Sequence, residues 1–195
     1  MRKITLTIII ATAVITGAWS QVSFGIKAGL NIANQVYTGG SFTSSPGKML
    51  GFHGGVYLHA KMGKFGMQPE AYYSMTGSNR TYSGASSDGV KTNYISLPIL
   101  LRWNITDFFN IHAGPQFGLL LSAKRTINGT TTDIKNQVKS GDFGIAGGAG
   151  FDLPMGLSGG ARIVGGLSDI DKSSSPVKTK NFIVQVYLGM RLFGK

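Results

Sequence analysis

One pattern narrows what this chain can fold into more than any other: apolar and polar residues alternate at period two, segment after segment. In "NFIVQVYLGMRLF" (181–193), Phe182, Val184, Val186, Leu188, Met190 and Leu192 share one parity. Asn181, Gln185, Tyr187, Gly189 and Arg191 share the other, with Ile183 and Phe193 out of character. Period two is the signature of a β-strand whose two faces meet different surroundings. The same pattern recurs in "VSFGIKAGLNI", "LGFHGGVYLHA", "FGMQPEAYYSM", "YISLPILLRW", "FNIHAGPQFGLLLS" and "DFGIAGGAGFD", and more weakly in "LSGGARIVGGL". That makes eight strands of about ten residues, and no helical periodicity competes over a comparable length.

The connections alternate too. Short turns, "KMGK", "NITDF" and "LPMG", follow the second, fourth and sixth strands. Long segments rich in Gly, Ser, Thr, Asn and Lys follow the first, third, fifth and seventh, as expected of solvated loops. An even-numbered meander with every long loop at one end is the layout of an eight-stranded antiparallel up-and-down transmembrane β-barrel. The sequence shows no internal domain boundary.

Alternation alone also fits a soluble calyx, so the character of the polar parity decides. A face in water should be rich in charge, yet only 14 % of this chain is Asp, Glu, Lys or Arg, against about 25 % in soluble domains. The polar parity is dominated by Gly, Ser, Asn, Gln, Tyr and His, residues that suit the crowded lumen of an eight-stranded barrel. The apolar parity is then expected to face lipid, with Phe24, Phe65, Trp103, Phe109 and Phe151 forming an aromatic girdle near the short turns. The charges on the polar parity, Lys27, Glu70, Arg102, Asp142, Asp152, Arg162 and Arg191, are expected to form an enclosed polar network, since unpaired buried charges cost several kcal/mol each. The third and fourth strands are neighbours, so Glu70–Arg102 is the first pair expected.

The N-terminus reads as an address. Arg2 and Lys3 precede the apolar run "ITLTIIIATAVITGAW", and Ala18 and Ser20 make an Ala-x-Ser cleavage site. Residues 1–20 are expected to be a cleaved signal peptide, with 21–195 forming the barrel domain.

Laid out in this way, "GIKAGLN", "GFHGGVY", "MQPEAYYSMTG", "YISLPILLRW…FNIHAGPQFGLLL", "GDFGIAGGAGFDL", "ARIVGGLSDI" and "VYLGMRLF" resemble, in order and spacing, the PorT-like outer-membrane β-barrel family of Gram-negative bacteria. The resemblance spans nearly all of the chain beyond residue 20 except the long loops. It implies an integral outer-membrane barrel with periplasmic termini, and for most members it implies no assigned activity. The founding members' tie to secretion and gliding has no motif here to carry it over. Phe193 is followed by Gly194 and Lys195, which departs from an aromatic chain end.

Candidate sites are few. The chain has no cysteine, which excludes disulfides, zinc-thiolate sites and thiol nucleophiles. His53 and His59 lie six residues apart on one strand, about 20 Å, too far to share an ion. No metal or cofactor is expected. The run "GIAGGAG" lies within a strand and lacks the helix of a dinucleotide-binding turn. The long loops hold no histidine and only Asp88, Asp133, Asp169 and Asp171 as acids, so no catalytic constellation is expected. The net charge of +11 forms no stripe, which argues against nucleic acid. Instead the loops carry Lys48, Arg80, Lys91, Lys124, Arg125, Lys135, Lys139, Lys172, Lys178 and Lys180. At a cell surface such loops would meet the phosphates of lipopolysaccharide, or protein partners in secretion or adhesion. The leading expectation is therefore a non-enzymatic outer-membrane barrel acting through its loops. A narrow pore for small anionic solutes is the alternative, and a soluble lipocalin-like binder the third reading.

Overall fold

A computed structural model describes residues 22–39, 42–44, 47–81, 87–172 and 177–194. The expected signal peptide lies outside the described residues. Ten strands are found among them: β1 (Val22–Gly39), β2 (Phe42–Ser44), β3 (Met49–Met62), β4 (Phe65–Thr81), β5 (Ser87–Asn104), β6 (Phe109–Ile127), β7 (Thr130–Asp133), β8 (Gly141–Asp152), β9 (Leu157–Gly166) and β10 (Lys178–Phe193). Every sequence-predicted strand coincides with one of the eight longer strands, and β2 and β7 are short accessories.

Each long strand pairs antiparallel with the next, and β10 pairs back onto β1, closing an eight-strand ring. The ring's stagger follows from the registers. From Lys27, one route passes Gly55, Tyr72, Ser96 and Gly118 to reach Asp142 on β8. The other passes Gly189 and Ser158 to reach Asp152 on the same strand, ten residues away. A ten-residue offset around eight strands, at about 3.3 Å per residue and about 4.8 Å between strands, tilts the strands by roughly 40°. Each residue then advances about 2.5 Å along the barrel axis.

The polarity of the wall is inside-out. Ile26, Leu30, Phe52, Leu101, Ile163, Val186 and Leu188 are exposed, Leu188 at 71 %. Asn31, His53, Ser74, Thr92, Arg162 and Gln185 are buried, at 2 % exposure or less. A soluble calyx requires the reverse, so the wall is built for lipid outside and polar packing within.

Aromatic residues on the outer face fall in two rings. Phe24 stacks on Phe193, and Phe65 on Trp103, with centroids 6.4 and 6.2 Å apart. Phe109 opposes Phe151 in register beside them. Phe52 meets Tyr73 at 5.7 Å and Phe117 meets Phe143 at 5.1 Å in the second ring. The pairs Phe109–Phe151 and Phe117–Phe143 lie eight residues apart on both strands. At this tilt that is about 20 Å of axis, close to the ~25 Å apolar band of such barrels. Only the ring nearer the short turns is foreseen from sequence.

Glycine makes room on the inner face. A Cβ at Gly148 would sit 2.3 Å from the Ala161 carbonyl oxygen and 2.5 Å from Arg162 Cβ. Its neighbour Gly147 points outward, where a Cβ would meet only Ala113 Cβ at 4.0 Å.

The third long segment is not the simple solvated loop expected. β6 continues to Ile127, turns at Asn128 and Gly129 with φ of 48° and 81°, and returns as β7. Positive φ at both turn positions suits the right-handed twist of a two-residue hairpin, and Asn-Gly is the sequence that tolerates it. The chain then folds inward through a short 3-10 turn, Lys135–Gln137. Ile134, Val138 and Ile170 are buried against Tyr94, Leu120 and Ala123. Val138 bridges Asp171, which ties the third and fourth loops together across the mouth.

Candidate functional site: a filled lumen and a basic loop face

The residues expected to form one enclosed network form two ion-pair clusters, a separate carboxylate and an exposed arginine. At mid-height, Glu70 on β4 holds Lys27 of β1 at 2.5 Å through Oε1 and Arg162 of β9 at 2.8 Å through Oε2. All three side chains are at most 5 % exposed. The cations lie over aromatic faces: Lys27 Nζ is 4.2 Å from the Tyr187 ring centre, and the Arg162 guanidinium 5.0 Å from that of Tyr72. Arg162 Nε donates to Gln185 Oε1 at 2.6 Å, and Gln185 Nε2 donates to Asn31 Oδ1 at 2.7 Å. The His53 ring shares Asn31 Oδ1 at 2.8 Å.

Nearer the short turns, Arg102 pairs with Asp152 and donates to Gln68 and Asn104. The expected Glu70–Arg102 bridge is absent. In register Arg102 opposes Gly66, four residues below Glu70, because pairing follows the stagger and not the strand order. Gln68 connects the two clusters, accepting from Arg102 at 3.0 Å and donating to Glu70 at 2.7 Å.

Two of the seven stand apart from any enclosed ion pair. Asp142, at the long-loop end, accepts hydrogen bonds from Ser168 Oγ and Asn181 Nδ2 at 2.7 and 2.8 Å. Arg191 is exposed and lines a cleft of about 160 Å³ at the short-turn mouth, beside Arg102 and Asp152. The strand outlasts the wall there, so inward parity no longer means enclosure.

The sequence reading missed the roles of the neutral partners: Gln68 links the two charged clusters, Gln185 and Asn31 extend the first from Arg162 to His53, and Gln116 accepts from Tyr72 Oη. It also missed an inward apolar layer of Ala33, Leu100, Ala146, Val164 and Ile183. Their one signal is that they break the alternation on the polar parity. Two cavities among the lumen side chains hold about 10 Å³ each, room for about one water. Among the described residues, no group of three metal-ligating side chains converges.

The basic loop residues separate by position. Lys48, Lys91, Lys124 and Lys178 are exposed and Lys180 is half-buried; Lys91 opposes Lys124 across β5–β6. Lys48, Lys91, Lys178 and Lys180 share the outward parity of the lipid-facing residues below them, and Lys124 reaches the same face through a β-bulge in the β5–β6 pairing. All five sit about 10 Å beyond the second aromatic ring. Lys139 pairs with Asp169 at 3.3 Å. Arg125 and Lys172 line the mouth, and Lys135 is exposed on the short turn. The side chain of Arg80 lies outside the described residues.

A closed antiparallel ring with an apolar exterior, two aromatic girdles and a packed polar lumen defines an integral outer-membrane β-barrel. The chain belongs to the outer membrane protein β-barrel domain family, whose sequence profile matches residues 16–172. No curated protein matches it by sequence. Among solved structures, neisserial surface protein A is similar at 13 % identity, covering 88 % of this chain and 99 % of that one, with a TM-score of 0.55. Ail, the attachment invasion locus protein of Yersinia pestis, has 15 % identity, 88 % and 99 % coverage and a TM-score of 0.47. OprG of Pseudomonas aeruginosa has 12 % identity, 90 % and 98 % coverage and a TM-score of 0.47. The first likeness supports the fold alone.

Proposed function

We propose that this chain is a non-enzymatic outer-membrane barrel, PorT-like in its strand motifs, that works through its long-loop face and not as a conduit. The observation that carries this reading is the lumen: the Lys27–Glu70–Arg162 cluster, its glutamine and asparagine links and the apolar layer occupy it from wall to wall. The narrow anion pore fits less well, because the arginines it would rely on are engaged: Arg162 is fully buried and held by Glu70 and Gln185, and Arg102 is buried and held by Asp152, Gln68 and Asn104.

At the loop face, the five outward lysines form a collar above the lipid band, where the phosphates of an outer-leaflet glycolipid lie. Like charges directly opposite each other across a ladder repel, so Lys91 and Lys124 gain from an anion between them. Lipopolysaccharide is the partner this collar fits, and a role accessory to secretion or adhesion would be exercised above it. The test is reconstitution into planar bilayers. The expected outcome is a quiet membrane; discrete, steady openings would overturn the reading.

A further inference from the structure

Above the sealed lumen, the two inward-folded loops leave a half-open cup of about 440 Å³ between themselves and the β1–β10 wall. Its size falls in the range of ordinary small-molecule sites and would hold roughly fifteen non-hydrogen atoms at about 30 Å³ each. One side is apolar: Val90, Ile134, Val138 and Ile170, the last three buried at 8 % exposure or less. The rim carries two cations, Arg125 and Lys172, for which no carboxylate partner is found among the described residues, and one acid, Asp171, which is itself engaged. Deeper in, Gln35 is 2 % exposed, and its Oε1 accepts from Ser78 Oγ at 3.1 Å and Tyr37 Oη at 3.2 Å.

The geometry points to a binding site for a small amphipathic organic anion: an apolar body against the isoleucine–valine side and a carboxylate held by Arg125 and Lys172. Apolar surface with a few convergent polar groups is the composition that fixes a small ligand's orientation. A guanidinium gives a carboxylate two parallel hydrogen bonds, which an uncharged amide does not match. The same apolar residues pack against Tyr94, Leu120 and Ala123, so this side of the cup is held in place by the loops' own core. The site sits at the dead end of a filled barrel, so the ligand binds and leaves from the outer side. It differs from the lysine collar in both place and chemistry, and it does not depend on whether the loop face meets a macromolecule.

The test uses the full barrel in lipid nanodiscs, with 4-(trifluoromethyl)cinnamate as probe and ¹⁹F transverse relaxation as readout. Saturable broadening beyond that given by empty nanodiscs is expected. Replacing Arg125→Gln together with Lys172→Gln should weaken binding at least about tenfold, a loss of about 1.4 kcal/mol. Val90→Trp should fill the cup and abolish binding. Both variants must retain the heat-modifiable gel shift of a folded barrel, and Lys135→Gln, outside the cup, serves as a folded control with unchanged binding. Broadening equal to empty nanodiscs would overturn the site. Equal affinity for the probe's primary amide, or binding untouched by the double substitution, would overturn the anionic class of its ligand.

Discussion

Glu70 is the residue on which the interior charge balance turns, because one carboxylate serves two buried cations. Removing one member of such a group leaves the others charged and unpaired, which costs about 3–5 kcal/mol. Glu70→Gln should therefore lower the urea-unfolding stability of the refolded barrel by about that amount. Asp152→Asn is the contrasting substitution. Its side chain is 37 % exposed, and the more buried Arg102 keeps Gln68 and Asn104 as acceptors, so the loss should be smaller, about 1 kcal/mol. Similar losses at the two sites would show that enclosure does not set the cost. The sequence made clear which charges face inward but not how they pair. Parity fixes the face, whereas pairing depends on register, which the chain sets through the ring's offset and its turns. Gln68 and Gln185 were illegible for another reason: neutral amides gain importance only when charges are placed beside them.

At the scale of the strand, Gly147 and Gly148 offer a direct check of the wall's orientation, because two neighbours of one residue type face opposite surroundings. Gly148→Val should prevent folding, since the added side chain collides with the Ala161 backbone and Arg162. Gly147→Val should be tolerated, since it adds an apolar group to an apolar exterior. The heat-modifiable gel shift distinguishes them, and the opposite result would reverse the faces. The eight long strands were readable because period two persists through each. The folded loops were not, because Ile134, Val138 and Ile170 are isolated apolar residues in polar surroundings, without a periodic signal. Their burial against Tyr94 and Leu120 is a long-range contact that no local pattern encodes.

For the molecule as a whole, the charge distribution follows the membrane. The apolar belt carries no outward charge between its aromatic rings, and the outward lysines gather beyond the second. Replacing Lys91→Glu and Lys124→Glu should reduce the melting-temperature gain conferred by lipopolysaccharide, measured against a zwitterionic phospholipid in the same nanodiscs. A preserved gain would separate the collar from the glycolipid. The same pair of substitutions should leave binding at the mouth cup intact, because their side chains point away from it.

The β1–β10 seam has a consequence for how the molecule is made. Fifteen register pairs, from Phe24–Phe193 to Thr38–Lys178, unite strands at opposite ends of the synthetic order. While β10 is still unmade, β1 keeps an open hydrogen-bonding edge that a bilayer interior would penalise. The finished shape is thus unavailable to a nascent chain. The polypeptide must be carried whole to its destination before it can commit to a membrane, and loss of β10 alone would leave nothing able to remain there.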